Sequence, residues 1–232
     1  MEISLTLEAK DGAKPLNFVY NRMANAGYVG RDQDEVRRHI EELAKKGIPG
    51  PKSTPTLYPV ITRTLVTDPS IEVYGEETCG EVEYVLLIEN PGSVYVGLGS
   101  DHTDRHLEET DIPRSKQICP NVMCKTVWPL SEVKEHWDKL VLESWVISHG
   151  EKLLYQRGPL ELIMDPQALI EFVSSKVKEP LERFVLFSGT MGSITGEFVF
   201  GEEFMARLSD PVLGRNLDLH YTIHSLNYVD PD

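Results

Sequence analysis

Residues 81–105 read EVEYVLLIENPGSVYVGLGSDHTDR, and this stretch predicts two neighbouring strands of a β-rich fold. The runs EVEYVLLI and VYVGLG are apolar and short, as buried strands are. Side chains alternate along a strand, so Glu81 and Glu83 share one face, with Cα atoms about 7 Å apart. Asp101 ends the second run, and a hairpin connection would bring it close to both glutamates.

Three carboxylates directed at one spot repel one another unless a cation or a proton lies between them. On the two glutamates alone, an exposed acidic face of an edge strand is the more common arrangement. Asp101 favours a metal site instead, because three oxygen ligands leave room for water or substrate. Hard oxygen ligands select Mg²⁺ or Mn²⁺, with Ca²⁺ possible, over zinc. We therefore predict a divalent cation bound by Glu81, Glu83 and Asp101.

The composition limits the architecture and the partners. The chain has 232 residues, 41% of them hydrophobic, which suffices for one core and predicts a single domain over residues 1–232. The net charge of −14 argues against a nucleic-acid partner. No apolar run is long enough for a membrane span, and the first residues lack a signal-peptide pattern, so we expect a cytoplasmic protein with no membrane partner. The three cysteines do not favour a disulfide framework.

The rest of the chain alternates strands with a few helices, without a βαβ rhythm. We expect an α+β, β-rich fold, a mixed β roll or barrel of about ten strands with three or four short helices. Asp32 before one apolar stripe and Asp165-Pro166 before another predict two helix starts. The other predicted elements are the strands ISLTL, LNFVY, PVITRTLV, IEVY, RFVLFSG, EFVF and NLDLHYTIHSL, a turn-rich connection over residues 21–31, a helix from Ser131 to Leu140, and a hairpin of LESWVI and KLLYQ around His149, Gly150 and Glu151.

The quoted stretch resembles the core motif of the fumarylacetoacetate hydrolase superfamily, in which a Glu-x-Glu strand is followed by a strand ending in Asn-Asp-x-x-x-Arg. The resemblance places the metal ligands on Glu81, Glu83 and Asp101, and the family's arginine on Arg105. An arginine beside a metal site suits a substrate carboxylate, although Arg105 could simply pair with Asp104. The resemblance also implies the fold of that family's C-terminal domain and, by analogy, a homodimer.

The segment VGRDQDEVRRHIEEL resembles the family's lid, in which a His and a Glu three residues later act together as a base. These positions are His39 and Glu42, and residues of about 31–57 would form an N-terminal lid helix and a long loop. On a helix, Glu42 can reach the imidazole from the next turn and fix its tautomer. A surface His beside a solvated Glu is the alternative.

Two more segments carry the resemblance, which extends from about Tyr28 to Asn227. SKQICP is similar to the segment with the family's active-site lysine, which would be Lys116. FVLFSGTMG is similar to the turn that receives the substrate, with Gly189 and Thr190 as substrate-binding residues.

The resemblance implies a metal-dependent hydrolase or lyase of a small oxo acid. The reaction would be C–C hydrolysis of an acylpyruvate-like 1,3-dicarbonyl, or decarboxylation, through a metal-stabilised enolate. An isomerase or hydratase of unsaturated 2-oxo acids is the alternative on the same fold. Ser100 stands where the family has Asn, and Met191 where it has Pro, so a non-catalytic small-molecule binding protein with a relic site also stays open. We expect His102 just outside the metal ligands and His106 to be structural.

Overall fold

A computed structural model of the chain describes residues 1–45, 50–51 and 53–229, without the side chains of residues 39 and 42–45. The helices are α1 (Gln33–Lys45), α2 (Arg105–Glu108), α3 (Ile112–Ile118), α4 (Leu130–Val133) and α5 (Pro166–Lys176), with 3₁₀ turns at Thr62–Thr64, Lys134–Lys139 and Leu160–Leu162. The strands are β1 (Glu2–Ala9), β2 (Gly12–Val19), β3 (Arg22–Gly27), β4 (Thr56–Pro59), β5 (Leu65–Val66), β6 (Ser70–Val73), β7 (Thr78–Cys79), β8 (Val82–Asn90), β9 (Ser93–Asp101), β10 (Thr103–Asp104), β11 (Asn121–Met123), β12 (Thr126–Pro129), β13 (Val141–Ser148), β14 (Glu151–Pro159), β15 (Phe184–Phe187), β16 (Glu203–Asp210) and β17 (Arg215–Ser225).

These strands form two large sheets, as the predicted β-rich α+β class requires. A ten-stranded mixed sheet runs β2-β1-β12-β9-β8-β15-β3-β4, with β11 paired to β9 and β5 paired to β11. A five-stranded sheet runs β14-β13-β16-β17-β6, and β10 pairs with β7 in a small ribbon. No closed barrel is found in the part of the chain that the structure describes, so the fold is a mixed roll.

The β8–β9 hairpin lies at the centre of the molecule, between two apolar clusters. Strands β13, β16 and β17 pack on one of its faces, where Tyr84 and Leu86 are fully buried. Val85 and Leu87 point to the opposite face, towards the β1–β2 hairpin. Glu83 shares this second face with Val85, because side chains alternate along β8.

Several predicted elements are confirmed. Asp32 caps α1, accepting hydrogen bonds from the backbone N–H groups of Asp34 and Glu35, both at 3.0 Å. Asp165 caps α5 in the same way. The predicted strands ISLTL and LNFVY are β1 and β2, and the predicted hairpin around His149 and Gly150 is β13–β14.

Four expectations about local structure are wrong. The predicted strand PVITRTLV is interrupted by the 3₁₀ turn at Thr62–Thr64, between the end of β4 and β5. The turn-rich connection predicted over residues 21–31 contains β3, whose small residues lie buried between β15 and β4. The segment EFVF is not a strand, and its Phe198 and Phe200 are exposed. The helix expected from Ser131 to Leu140 is the single turn α4 followed by a 3₁₀ turn, because His136 adopts non-helical backbone angles (φ −129°, ψ 26°).

Two further predictions concern membranes and thiols. In the described ranges, none of the helices has the length and apolar character needed to cross a bilayer. Cys79, Cys119 and Cys124 are buried free thiols. The sequence had not favoured a disulfide framework for them.

The register of β8 and β9 depends on close packing at Gly99, which lies opposite Glu83. A Cβ atom at Gly99 would lie 2.6 Å from both Phe187 and Val85. We therefore expect Gly99→Ala to lower the free energy of unfolding by about 1–3 kcal/mol, the usual cost of overpacking. Urea denaturation followed by circular dichroism measures this loss.

The matched control is Gly97→Ala, two residues earlier on the same face of β9. Its new methyl group would meet the flexible end of Met123 at 2.8 Å, so the loss should be smaller. An equal loss in the two variants would contradict this account of the packing.

Candidate active site and metal centre

Three carboxylates converge at one end of the β8–β9 hairpin. Glu81 immediately precedes β8 and is held opposite Asp101 by a backbone hydrogen bond from the Asp101 N–H to the Glu81 carbonyl, at 3.1 Å. One carboxylate oxygen from each of Glu81, Glu83 and Asp101 lies within 4.8 Å of the others. Glu83 and Asp101 are each only 1% exposed, and the Glu81 side chain is 18% exposed. The predicted carboxylate cluster is therefore present, with Glu83 and Asp101 buried and Glu81 partly exposed.

Lys116 contacts two carboxylates of this cluster, those of Asp101 and Glu81. Its Nζ is 2.8 Å from Asp101 Oδ2 and 2.9 Å from Glu81 Oε2, and it donates a hydrogen bond to Thr103 Oγ1 at 3.1 Å. The resemblance placed an active-site lysine at this position, and the structure brings it to the carboxylates.

Arg105 contacts the same cluster from the start of α2. Its Nη2 is 3.2 Å from Glu81 Oε1, its Nη1 is 2.6 Å from Glu108 Oε2, and its Nε donates to Cys79 Sγ at 2.9 Å. Asp104 does not take the alternative role of partner for Arg105, because its carboxylate caps α2 by accepting the N–H of Leu107.

Two short helices deliver these cations. Helix α2 follows directly on the β7–β10 ribbon, which fixes the position of Arg105 at its first residue. Helix α3 begins after Asp111, whose side chain accepts the N–H of Arg114, and α2 and α3 pack against each other. This compact pair of turns explains how Lys116 reaches Asp101 across only fifteen positions of the chain.

The electrostatics of the carboxylates are unequal. Burial raises the pKa of Glu81, but the Arg105 and Lys116 cations outweigh it and lower that pKa to about 2. Burial, together with the charges of Asp101 and Glu81, raises the pKa of Glu83 well above its ordinary value. Burial also raises the pKa of Asp101, against the lowering effect of Lys116. Glu83 therefore holds its proton to a higher pH than an ordinary glutamate does.

The cluster fits a hard divalent cation. Four carboxylates, those of Glu81, Glu83, Asp101 and Glu108, face only two cationic side chains, so two negative charges are in excess when all are ionised. Asp101 Oδ1 is buried and accepts no hydrogen bond from the described residues. A buried carboxylate oxygen that accepts no hydrogen bond is free to coordinate a cation. Ligands that are all oxygen atoms suit Mg²⁺ or Mn²⁺.

The turn predicted to bind substrate lies beside the cluster, with its polar groups engaged. The backbone N–H of Gly189 donates to Glu83 Oε2 at 2.8 Å, and Gly189 needs its positive φ of 83° and its missing Cβ to fit against Val29. The Thr190 hydroxyl donates to the Val82 carbonyl at 2.7 Å and accepts from Gln156 at 2.8 Å. The predicted substrate-binding role of both residues stays a prediction.

The three histidines considered from the sequence lie in different surroundings. His39 lies on α1, and its side chain and that of Glu42 lie outside the described residues, so the predicted base pair stays a prediction. The expectation for His102 is wrong, because alternation along the chain puts its ring on the opposite face from Asp101. There its Nδ1 is 3.0 Å from the Tyr221 hydroxyl and its Nε2 is 3.0 Å from the Thr78 hydroxyl. His106 is exposed, with Nδ1 4.0 Å from Glu77.

Three residues of the site were missed from the sequence. Glu108 contacts both cations, and the Phe198 ring lies over the Arg105 guanidinium at 4.3 Å. Burial raises the pKa of the Tyr28 hydroxyl, and the charges of Tyr58, Glu108 and Glu81 add to this rise. The spacing of Arg105 and Glu108, three residues apart on a helix, is the one signal that could have revealed a partner.

A family profile described as "Protein of unknown function (DUF2848)" matches residues 26–221. The chain belongs to the DUF2848 family. No curated protein matches this DUF2848 chain.

Among solved structures, the DUF2848 chain is similar to 5-carboxymethyl-2-hydroxymuconate delta-isomerase from Mycobacterium smegmatis, with a TM-score of 0.65, 14% identity, and coverage of 97% of this chain and 100% of that one. It is similar to a 2-keto-3-deoxyarabinonate dehydratase, with a TM-score of 0.64, 16% identity, and coverage of 89% and 75%. It is also similar to yeast ynq8, a fumarylacetoacetate hydrolase family protein, with a TM-score of 0.61, 16% identity, and coverage of 89% and 94%. The chain thus has the fold of fumarylacetoacetate hydrolase family proteins, as the resemblance implied.

The raised pKa of Glu83 gives a prediction for stability. In the folded protein Glu83 holds its proton to a higher pH than in the unfolded chain, so the stability of the wild type falls as the pH rises above the usual range of Glu. We expect Glu83→Gln, in EDTA, to become more stable relative to wild type by about 1 kcal/mol or more between about pH 5 and about pH 8, since one pKa unit is worth about 1.4 kcal/mol. Urea denaturation at the two pH values measures this difference.

Glu72→Gln, on the exposed face of edge strand β6, is the matched control and should stay within about 0.5 kcal/mol of wild type at both pH values. The account is contradicted if Glu83→Gln loses stability relative to wild type as the pH rises.

Proposed function

We propose that this protein is a divalent-metal-dependent enzyme that hydrolyses a C–C bond in, or decarboxylates, a small oxo acid. The observation that carries the proposal is the convergence of Glu81, Glu83 and Asp101, with oxygen atoms within 4.8 Å of one another, beside the buried ammonium group of Lys116. Positive charge fixed in a buried site favours reactions in which a substrate oxygen becomes negative. An acylpyruvate-like 1,3-dicarbonyl compound undergoes this change when its C–C bond breaks.

Glu81, Glu83 and Asp101 would hold the ion. When bound, a divalent cation would supply Lewis-acid polarisation of the substrate's carbonyl oxygens. Lys116 would act as a fixed cation and hydrogen-bond donor. Burial lowers its pKa, but Asp101, Glu81 and Glu108 outweigh burial and raise that pKa well above the ordinary value, so Lys116 keeps its proton and is unsuited to act as a base.

The base would come from α1. His39 and Glu42 are the proposed pair, with the carboxylate orienting the imidazole for proton abstraction from water. Tyr28 precedes α1 by five residues, and burial raises the pKa of its hydroxyl with added contributions from the charges of Glu108 and Glu81, which supports this proposal. The helix could close over the carboxylates and exclude bulk water.

An isomerase or hydratase of unsaturated 2-oxo acids is the second candidate. The shared fold with the delta-isomerase and the dehydratase favours it. Such a reaction would use the same stabilisation of negative charge on a substrate oxygen, and isomerisation needs no attacking water. The homodimer and the cytoplasmic location stay predictions.

The test is a panel of acylpyruvates, oxaloacetate and unsaturated 2-oxo acids, incubated with the protein and Mn²⁺ and followed by NMR. We expect an acylpyruvate to give two carboxylic acids, and we expect Asp101→Asn to reduce turnover by more than about 100-fold, the upper range for residues that only orient a metal ligand. Glu109→Gln is the control, because it also removes one negative charge, but from an exposed residue next to Glu108, and it should retain full activity.

The products separate the candidates. Conversion of an unsaturated oxo acid into its isomer, with acylpyruvates intact, would favour the second candidate over hydrolysis. No turnover of any compound, with Mn²⁺ still bound, would contradict both and favour the non-catalytic binding protein.

A further inference from the structure

Glu108 is a fourth carboxylate of the site, and it contacts both of the site's cations. Its Oε2 lies 2.6 Å from Arg105 Nη1 and its Oε1 lies 3.5 Å from Lys116 Nζ. Its side chain is 22% exposed, while those of Arg105 and Lys116 are 6% and 8% exposed. Glu108 therefore lies on the open side of two buried cations.

No positive charge in the cluster is left without a carboxylate. Arg105 also pairs with Glu81, and Lys116 pairs with Glu81 and Asp101. With a divalent cation added, four negative groups would face four positive charges. The described part of the site then offers no surplus positive charge to a second acidic group on a substrate.

The guanidinium of Arg105 is also engaged by groups of the protein, although its buried Nη2 has no hydrogen-bond partner among the described residues. Phe198 covers its face at 4.3 Å, and Cys79 accepts its Nε–H at 2.9 Å. Phe198 is itself 56% exposed. A substrate that extends beyond the metal ligands would therefore meet the Phe198 ring and the carboxylate of Glu108.

We propose that Glu108 determines substrate specificity by neutralising Arg105 and Lys116, so that the site selects 2-oxo acids with a single carboxylate and an uncharged far end over dicarboxylates. This inference rests on the proposed function, and it favours acylpyruvates over oxaloacetate. The physical cause is that a second carboxylate would lose its hydration near Glu108 without gaining a cationic partner.

The experiment measures the binding of two stable ligands of equal chain length, 2-oxopentanoate and 2-oxoglutarate, by calorimetry in the presence of Mg²⁺. The ligands differ only in a terminal methyl group against a terminal carboxylate. We expect the wild type to bind 2-oxopentanoate more tightly, by about tenfold or more, a ratio that corresponds to about 1.4 kcal/mol. In Glu108→Gln, which keeps the shape of the side chain and frees one positive charge, the ratio should shrink by about tenfold or reverse.

Glu109→Gln is the matched control, because it removes the same charge from the adjacent exposed position and should leave the ratio unchanged. Thermal melting of each variant verifies that it is folded. A ratio that is the same in wild type and Glu108→Gln, or a wild type that prefers 2-oxoglutarate, would overturn the inference and leave the proposed function intact. Failure of both ligands to bind to the folded wild type with Mg²⁺ would overturn the proposed function, and the inference with it.

Discussion

Repulsion between buried carboxylates is the interaction on which this structure depends. Glu81, Glu83 and Asp101 are held together by strand register, and two like charges about 4 Å apart repel by roughly 4 kcal/mol at an effective dielectric constant of 20. A chain can keep such a group folded only by placing protons or cations among the oxygens. Lys116 and Arg105 offset part of the repulsion, and the remaining excess of negative charge is what makes the site suited to a divalent ion.

The fold keeps this repulsive group in place by burying the strands that carry it. The β8–β9 hairpin packs between the five-stranded sheet on one face and the β1–β2 hairpin on the other, so neither strand can move without disturbing both apolar clusters. The cations come from a different type of structure, two short capped helices joined directly to the end of β9 by β10. Rigid strands thus fix the oxygens, and the helices determine how much of their charge is compensated.

The sequence was informative where the regular alternation of side chains along a strand determines which residues share one face of the sheet. Alternation along one strand and a hairpin connection were enough to bring Glu81, Glu83 and Asp101 together. Lys116 could be placed only through the family resemblance, since no period connects a short helix to a strand that ends fifteen positions earlier. The strand β3 was missed because its small residues are typical of turns, although close packing between neighbouring strands also requires them.

Glu108 and Phe198 show where local patterns fail. Phe198 belongs to an irregular segment in which exposed aromatic residues suggested a strand, and its contact with Arg105 depends on the path of a loop. No role was predicted for Glu108 from the sequence. Its importance comes from the simultaneous approach of Lys116 from another helix, a tertiary fact that no spacing predicts.

The most direct test of the central claim is anomalous diffraction from crystals of the protein soaked in Mn²⁺. The account predicts one strong anomalous peak within about 2.2 Å of an oxygen from each of Glu81, Glu83 and Asp101, the distance typical of such a cation and its oxygen ligands. In crystals of Asp101→Asn the peak should be weakened or lost. A wild-type map with no peak at these three carboxylates, or with Mn²⁺ bound elsewhere, would contradict the account.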